Sequence, residues 1–450
     1  MGSLWFHLGT LDAADNLLFA RIQMAVTLGA HISVACLGVG MPALLLFAEG
    51  RYLRTGDPIW KALARRWAKA FAVLFAVGAV SGTVLSFELG LLWPEFMGRF
   101  GGVIGLPFTL EAFAFFIEAI FLGIYLYGWD RLSPRLHWLS GFPIAISGVL
   151  SAWFVVTANA WMNAPQGFVL QDGVVVDADP FEAMMNPATW AQTLHMIVAA
   201  YMVTGFVLAS VYAYHRLRGR DHSYNRRAMA LGLVLAAGMT PLQAVVGHAA
   251  AKMVARTQPV KLAAMEGQFR TEARAPLRVG GWPDEDSGST PLAIEIPGLL
   301  SWLAYGDADA VVKGLADFPR DEWPPVRIVH VSFQVMVGIG GALLLLSVWT
   351  GAFFALRRRL PNGRVYLRFI LLSGPLAWIA LLAGWTVTEV GRQPWIVQGI
   401  LRTKDAVTEA PGIGWIFATT MLIYAALTAG AVIVLRDLSQ IPLKEEEHGA

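Results

Sequence analysis

Six side chains that could bind iron or carry a proton lie within otherwise apolar stretches of the sequence. In chain order they are His31, Glu111, Glu118, His195, Met336 and Glu389. Imidazole and thioether groups serve as axial ligands of haem iron. A carboxylate inside a membrane is costly and is there usually for a function such as proton transfer. Together, these residue types point to redox chemistry that consumes protons.

Two of the carboxylates lie at helical spacing. Glu111 and Glu118 are seven residues apart, which on an α-helix is an offset of about 20° and an axial separation of about 10 Å. Both side chains should therefore point in the same direction, so that a proton could pass along one helix face.

The most polar stretch is Gly384–Trp395, which ends an apolar run. Within twelve residues it holds Glu389, Arg392, Gln393 and two tryptophans. A segment that merely left a membrane would not need this density of charged and aromatic groups. Charges at such a depth usually belong to a site.

The composition indicates which elements position these groups. Of 450 residues, 56% are hydrophobic and only 15% are charged, and the mean hydropathy is +0.55. An ordinary soluble protein carries about 25% charged residues, so we predict an all-α polytopic membrane protein. Cys36 is the only cysteine, which excludes an intrachain disulfide, a C-x-x-C-H haem attachment and a cysteine-based metal cluster. The net charge of +2 gives no reason to expect nucleic acid as a partner.

A helix needs roughly 20 apolar residues to cross the hydrocarbon layer. Nine such spans are predicted, near 22–48, 68–93, 103–128, 137–160, 189–214, 228–248, 327–356, 365–388 and 413–436. The longest connection, 249–326, is rich in proline and contains no apolar run of that length. We therefore interpret 1–450 as a single transmembrane domain with one long loop between spans 6 and 7.

Basic residues are concentrated in alternate connections. Arginine and lysine cluster after spans 1, 5 and 7, whereas 161–188 holds acidic residues and neither Lys nor Arg. The positive-inside rule then places the N-terminus outside, the C-terminus in the cytoplasm and the 249–326 loop outside. On this topology Glu118 lies near the middle of the membrane, and the other five side chains lie in its outer half. A shared depth is expected of ligands that serve one layer of cofactors.

Each of these residues also has a plain structural interpretation. A buried histidine is commonly a hydrogen-bonded packing residue, and a methionine in a span commonly packs or contacts lipid. The remaining histidines, among them His137 and His330, lie near span ends or in loops, and we interpret them as surface or interfacial residues. The residues alone favour a haem-bearing membrane oxidoreductase. The alternatives are a proton-coupled transporter that uses Glu111 and Glu118, and a simple haem-b electron-transfer subunit.

Several segments, in their order and spacing, resemble subunit I of cytochrome bd-type ubiquinol oxidases over essentially the whole chain. They are Ala20–Ala25 leading to His31, Pro107–Gly123, Gly128–Leu132, Ala158–Met162, Lys261–Glu266 and Gly384–Trp395. The last segment is the most specific. The 249–326 loop lacks the long insertion of some members and so resembles the short-loop, cyanide-insensitive-oxidase branch.

The resemblance implies a haem-binding domain with three iron sites. His195 and Met336 would ligate a low-spin haem b. His31, with Glu111 on or near the other face, would serve one high-spin haem. Glu389 would serve the second. The high-spin pair would comprise a haem b and either a haem d or a further haem b.

The resemblance also implies the surroundings of these haems. Trp385 would pack beside the haem held by Glu389, and Arg392 and Arg21 would pair with propionates through charge-assisted hydrogen bonds. Lys261 and Glu266, on the outer loop, would bind quinol.

Two positions depart from the family pattern. Gln334 stands where many members have arginine, so it would be a neutral partner near the low-spin haem. Glu111 and Glu118 are one residue closer together than in the pattern, a change that rotates one carboxylate by about 100°.

The implied activity is that of a terminal quinol:oxygen oxidoreductase, electrogenic without being a pump. Ubiquinol or another quinol would be oxidised at the outer loop, and O₂ would be reduced to water with cytoplasmic protons that pass Glu118 and Glu111. The implied location is the bacterial inner membrane, in contact with lipid. The implied protein partners are subunit II and, as a further candidate, a small single-span accessory subunit.

Overall fold

The computed structural model describes residues 13–440. Within them, 9 helices are long and apolar enough to cross a membrane. They are α1 (Ala13–Thr55), α2 (Pro58–Leu92), α3 (Pro94–Tyr127), α4 (Pro134–Asn163), α6 (Thr189–Leu217), α7 (Ser223–Thr257), α10 (Val326–Arg357), α11 (Arg364–Val390) and α13 (Ile413–Gln440). The predicted nine-span helical fold is confirmed. Residues 1–12 and 441–450, which contain both termini, lie outside the described residues.

Short elements, which we did not predict, occupy the connections. The helices are α5 (Pro180–Met184), α8 (Pro259–Glu266), α9 (Leu299–Tyr305) and α12 (Thr403–Ala406). The strands are β1 (Val169–Gln171), β2 (Val174–Val176), β3 (Glu272–Ala273), β4 (Leu277–Gly280), β5 (Ala293–Ile296), β6 (Val311–Val312), β7 (Trp395–Val397) and β8 (Leu401–Arg402). The strands form antiparallel pairs β1–β2, β3–β6, β4–β5 and β7–β8.

Several helices extend well beyond the predicted spans. Helix α2 begins at Pro58, ten residues before its predicted start, and α7 continues to Thr257 instead of ending near 248. Hydropathy reports only the part of a helix that fits the hydrocarbon layer, whereas the backbone hydrogen bonds continue into the interface. Proline fixes some of the starts, as at Pro58, because the first helical position needs no N–H donor.

Small residues let the helices of the bundle approach closely. A Cβ atom on Gly40 of α1 would lie 2.2 Å from Thr204 Oγ1 of α6, and one on Gly205 of α6 would lie 2.6 Å from the backbone nitrogen of Ala236 in α7. A larger side chain at either glycine would force the helices apart. Such contacts supply much of the packing between helices in a membrane, where the hydrophobic effect between them is weak.

The two ends of the bundle differ. One end, here called the basic end, carries the connections 128–133, 218–222 and 358–363, which contain Arg131, Arg218, Arg220, Arg358 and Arg359. The other, here called the loop end, carries the 258–325 connection, which folds against the bundle. His330 of α10 fixes this loop through ring contacts of 2.9 Å to the Met265 carbonyl and 3.0 Å to the Gly280 carbonyl. The loop end is therefore an ordered cap on the helices.

Candidate functional site

Glu389 lies in the last turn of α11, at the loop end. Its carboxylate accepts a hydrogen bond of 2.5 Å from Asn159 Nδ2 of α4 and another of 2.5 Å from Arg392 Nη2. The Arg392 side chain is buried, and its Nη1 donates to the Ile396 carbonyl of the β7–β8 hairpin. Among the described residues its Nε has no partner. Arg392 thus neutralises Glu389 and keeps one donor for another anionic group.

A second asparagine, one turn further along α4, connects this carboxylate to the loop. Asn163 Nδ2 donates to the Asn159 carbonyl at 2.9 Å, and Asn163 Oδ1 accepts from Lys261 Nζ at 2.8 Å. Lys261, on α8, also donates to the Thr388 carbonyl at 3.2 Å. Asn159, Asn163, Lys261, Glu389 and Arg392 form the loop-end cluster. Neither asparagine was singled out from the sequence, although Asn159 lies in a segment that carries the family resemblance.

The two residues predicted to bind quinol are both buried, at 3% exposure for Lys261 and 4% for Glu266. Burial lowers the pKa of Lys261 to about 7; Arg392 lowers it further, and Glu389 opposes the change. Burial raises the pKa of Glu266 to about 8, against the effect of Arg278. Within residues 13–440, Glu266 Oε2 has no hydrogen-bond partner. Both groups can therefore change charge near neutral pH, which suits a site that takes protons from its substrate.

His195 and Met336 line one cavity of about 480 Å³, which Lys261, Trp385 and Thr388 also border. Helices α4, α6, α7, α8, α10 and α11 contribute to its walls. Glycines make room beside the two candidate ligands. A Cβ on Gly247 would lie 3.3 Å from the His195 ring, and one on Gly384 would lie 3.0 Å from Met336 Sδ. The structure thus brings together the predicted low-spin ligands and one predicted quinol residue.

The residues around this cavity fit a haem. Both His195 ring nitrogens lie 3.2–3.3 Å from Gln243 Nε2, and Gln243 Oε1 is buried without a partner in the described part of the chain. His195 therefore has no strong competing partner that would prevent iron ligation. A largely apolar cavity lined by an imidazole and a thioether suits a haem with His and Met as ligands.

His31 lies on α1 and faces α2. Its Nδ1 is 2.9 Å from Ser81 Oγ, and a Cβ on Gly82 would lie 3.1 Å from its Cε1. One ring nitrogen therefore remains for a ligand. Further toward the loop end, the buried Glu88 accepts hydrogen bonds from Thr27 Oγ1 at 2.6 Å and Gln23 Nε2 at 2.9 Å. Glu88 was not singled out from the sequence.

Glu111 and Glu118 both face α4. Ser151 Oγ donates to Glu111 Oε1 at 3.3 Å, and a Cβ on Gly148 would lie 3.5 Å from both Glu118 oxygens. Positions 148 and 151 share one face of α4, so the seven-residue spacing aligns the two carboxylates along the same neighbour. Glu111 and Glu118 are one residue closer together than in the family pattern, yet both carboxylates lie at this helix interface.

Two predicted haem partners have other contacts. Arg21 Nη2 donates to Gln393 Oε1 at 3.0 Å, and that oxygen also accepts from Thr403 Oγ1 at 3.0 Å. Gln334 accepts from the Gly280 N–H at 3.0 Å and donates to the Arg278 carbonyl at 2.8 Å. The Gln334 amide therefore holds β4 of the loop, so both its oxygen and its nitrogen are already engaged there.

The interpretation of His137 and His330 as surface or interfacial residues was wrong. His137 is 2% exposed and His330 is fully buried at 0%. His137 Nδ1 lies 2.6 Å from Glu49 Oε1, and the Tyr125 hydroxyl donates to Glu49 Oε2 at 2.7 Å. Glu49, Tyr125 and His137 form the basic-end cluster. One signal in the sequence was overlooked: Tyr125 continues the seven-residue spacing of Glu111 and Glu118.

Comparisons with known proteins identify the family of the chain. A family model described as cytochrome bd terminal oxidase subunit I matches residues 19–441. A Bacillus subtilis protein, provisionally named a cytochrome bd menaquinol oxidase subunit I, is 40% identical over 94% of this chain and 96% of its own length. The cytochrome bd-II ubiquinol oxidase subunit 1 of Escherichia coli is 32% identical over 87% of this chain and 90% of its own length.

A solved structure is similar over nearly the same extent. The bd oxidase from Geobacillus thermodenitrificans superimposes with a TM-score of 0.89 at 40% sequence identity, covering 96% of this chain and 100% of that chain. The chain therefore belongs to the cytochrome bd terminal oxidase subunit I family, and it is a multi-pass membrane protein.

Proposed function

We propose that the chain is the subunit of a terminal quinol oxidase that takes electrons from quinol at the loop end and supports reduction of O₂ to water. The observation that carries the proposal is the cavity shared by Lys261, His195 and Met336. A group that could bind a quinol oxygen lines the same cavity as the residues that would hold the first electron acceptor. An ion or solute transporter would have no need of this combination.

The orientation follows from charge. Arg51 and Arg54 of α1, Arg131, and Arg218 and Arg220 lie at the basic end. The positive-inside rule places that end in the cytoplasm and the loop end outside. Protons released from quinol at the loop end would then leave on the outer side.

At the loop end, Lys261 and Glu266 would have different roles toward quinol. The Lys261 ammonium would donate a hydrogen bond to one quinol oxygen, and its own bonds to Asn163 and Thr388 keep it in place. Glu266 in its carboxylate form would accept a quinol proton. A general base works best when its pKa lies near the operating pH, as burial arranges for Glu266. Both ubiquinol and menaquinol present the hydroxyl that this chemistry requires.

The residues that would hold haem belong to two groups, one for the low-spin haem and one for the high-spin pair. His195 and Met336 would hold a low-spin haem b, and His31 and Glu389 would each serve one haem of the high-spin pair, with Glu111 near the first and Trp385 near the second. When bound, haem supplies the one-electron carriers and the iron at which O₂ is reduced. Arg392, whose buried Nε has no partner among residues 13–440, would bind a propionate. Arg21 and Gln334 stay as weaker candidates because their polar atoms already have partners.

Protons for oxygen would come from the basic end through Glu118 and then Glu111. Both carboxylates lie along the α3–α4 interface, and Glu118 is 6% exposed. In this arrangement charge is separated because quinol oxidation and proton uptake occur on opposite sides, so no pump is needed.

The complex would include subunit II. Apolar side chains on the outer surface of α3, such as Phe113 at 64% and Phe116 at 61% exposure, would be covered by lipid or by that subunit. Exposed apolar side chains of this kind would also suit contact with a single-span accessory subunit.

A visible spectrum and an oxygen electrode test the proposal. The purified complex should show haem bands in a reduced-minus-oxidised difference spectrum and should consume O₂ when supplied with quinol. A transporter would show no haem bands. A simple electron-transfer cytochrome would show the bands without quinol-driven O₂ uptake, and either result would reject the proposed function.

A further inference from the structure

A buried cluster at the basic end has no role in the function described so far. Glu49 of α1 and His137 of α4 are each 2% exposed, and Tyr125 of α3 is fully buried. All three lie within two turns of the helix ends that carry the basic connections. A carboxylate buried in a spanning helix usually serves a function, and this one is joined to two further groups that can carry a proton.

The hydrogen bonds of His137 restrict its protonation. Its Nε2 lies 2.8 Å from the Tyr125 backbone carbonyl. A carbonyl only accepts, so Nε2 carries a hydrogen. Its Nδ1 lies 2.6 Å from Glu49 Oε1. One proton must occupy that second contact, and it resides either on His137, as imidazolium facing carboxylate, or on Glu49, as a carboxylic acid facing neutral imidazole.

Both arrangements have zero net charge, so neither leaves an uncompensated charge buried in the bundle. The proton is shared within a single short hydrogen bond and belongs to the pair. The Tyr125 hydroxyl donates to the other Glu49 oxygen at 2.7 Å. No lysine or arginine side chain forms an ion pair with Glu49 within residues 13–440. The pair can therefore release and regain a proton without displacing a fixed counter-ion.

The cluster is aligned with the carboxylates of α3. Tyr125, Glu118 and Glu111 recur at seven-residue intervals, so they lie on nearly one face of the helix. The facing positions on α4 are small. A Cβ on Gly141 would lie 3.3 Å from the Tyr125 ring, and one on Gly148 would lie 3.5 Å from Glu118. The gap from Tyr125 to Glu118 is about 10 Å along the axis, a distance that a short chain of waters can bridge.

The cytoplasmic side of the cluster is covered by a thin layer. The Trp129 ring lies 4.1 Å from the His137 ring, between centroids. The Arg65 guanidinium stacks 5.0 Å from the Trp129 ring centre and pairs with Asp130 at 3.1 Å. Arg65 and Asp130 are both solvent-exposed, at 41% and 87% of their side chains. The Trp129 ring therefore lies between His137 and a surface ion pair.

We propose that Glu49, His137 and Tyr125 form the proton-loading site of the α3–α4 pathway. The site takes one proton from the cytoplasm, holds it between Glu49 and His137, and passes it toward Glu118. After transfer Glu49 is a carboxylate beside neutral His137, and the next cytoplasmic proton restores the pair. The inference rests on the proposed function, because it supplies the protons that oxygen reduction consumes.

The test uses the purified complex and compares two readouts. Quinol-driven haem reduction, followed by stopped-flow absorbance, reports on the loop end. Proton uptake after the fully reduced complex is mixed with O₂, followed with a pH-indicator dye, reports on the pathway. We expect Glu49→Gln to slow proton uptake about 10-fold or more, because an amide cannot release the shared proton. Tyr125→Phe should slow it several-fold. Haem reduction should be unchanged in both.

Tyr212→Phe is the matched control. Tyr212 is a buried tyrosine of α6 near the same end of the bundle, where its hydroxyl accepts a hydrogen bond from Trp67 Nε1 at 2.7 Å. It lies off the α3–α4 interface, so its variant should take up protons at the wild-type rate. If Glu49→Gln fails to assemble with haem, Tyr125→Phe decides the question alone.

Proton uptake at the wild-type rate in the assembled variants overturns the loading site and leaves the proposed oxidase function standing. A wild-type complex that takes up no protons on mixing with O₂ rejects the proposed function itself. The two failures are thus distinguishable.

Discussion

The loop-end and basic-end clusters are each built around a glutamate, with a side-chain exposure of 27% for Glu389 and 2% for Glu49, and they neutralise it by different means. Glu389 faces Arg392 and an asparagine amide, neither of which gives up a proton near neutral pH. Glu49 is hydrogen-bonded to an imidazole and a phenol. The first arrangement fixes a negative charge in one place, and the second lets a proton move. The loop-end cluster is therefore suited to holding an iron or its propionates, and the basic-end cluster to supplying protons.

The largest effect should follow from Glu389→Gln. The change removes the anion and leaves Arg392 buried without its counter-charge, a loss that typically costs about 3–5 kcal/mol. We expect quinol-driven O₂ consumption to fall at least about 100-fold, with reduced haem content, measured by oxygen electrode and pigment extraction. Glu409→Gln, at an exposed loop-end position, is the control and should behave as wild type. Retention of normal activity and haem by Glu389→Gln would show that the fixed anion is dispensable.

Removing the Lys261 ammonium from the loop-end cluster should have a smaller effect than Glu389→Gln, and one limited to quinol oxidation. Lys261→Met preserves a long side chain but loses the bonds to Asn163 and Thr388 and the donor to quinol. Hydrogen bonds of charged groups contribute about 1.5–3 kcal/mol, so kcat/KM for quinol should fall roughly 10- to 100-fold. Proton uptake by the pre-reduced complex should not change. The exposed Lys404→Met is the control, and an equal loss in both variants would argue against a specific role for Lys261.

The pH dependence of quinol oxidation should report on the loop end, through Glu266 and Lys261. The Glu266 carboxylate forms as pH rises through about 8, which favours quinol oxidation, whereas the Lys261 charge is lost as pH rises through about 7, which opposes it. The rate should therefore rise with pH below about 7, reach a maximum between these two values and decline above about 8. Lys261→Arg stays charged at high pH and should remove the declining limb, so that at pH 9 the rates relative to each enzyme's own maximum should differ several-fold. An unchanged limb in kcat/KM would assign it to another group.

The smallest effect is expected at the α3–α4 interface. In Gly148→Ala the new methyl group would lie 3.5 Å from the Glu118 oxygens, an ordinary contact that the fold tolerates but that removes room for water beside the carboxylate. Proton uptake should slow roughly 2- to 5-fold, without change in quinol-driven haem reduction. Gly123→Ala, on α3 with nothing within 4 Å of its Cβ, should have no effect. Equal rates in both variants would place the pathway elsewhere.

Much of the fold was predictable because a membrane imposes strong local constraints. Each span needs a long apolar run, so the nine helices could be counted from the sequence. The short strands could not, because segments of two to four residues such as Glu272–Ala273 pair only after the loop has folded. The same holds for Gln334, whose amide is committed to loop backbone that lies more than 50 residues away in sequence.

The candidate site was partly predictable for the same reason. Glu111, Glu118 and Glu389 stand out because a lone carboxylate in an apolar run is conspicuous. Glu49 and His137 do not, because each lies near the end of its helix, where polar residues are ordinary. Their pairing spans 88 residues of sequence and depends on how closely α1 and α4 approach. No local pattern encodes such a contact.

The column of Glu111, Glu118 and Tyr125 also acts as a measure of distance across the membrane. From Tyr125 to Glu111 the helix rises about 21 Å, roughly two-thirds of a hydrocarbon layer about 30 Å thick. A full crossing of one charge is worth about 2.3 kcal/mol per 100 mV. Each proton that climbs this column would therefore work against roughly 1.5 kcal/mol per 100 mV of membrane voltage, and turnover should slow as the voltage of the cell rises.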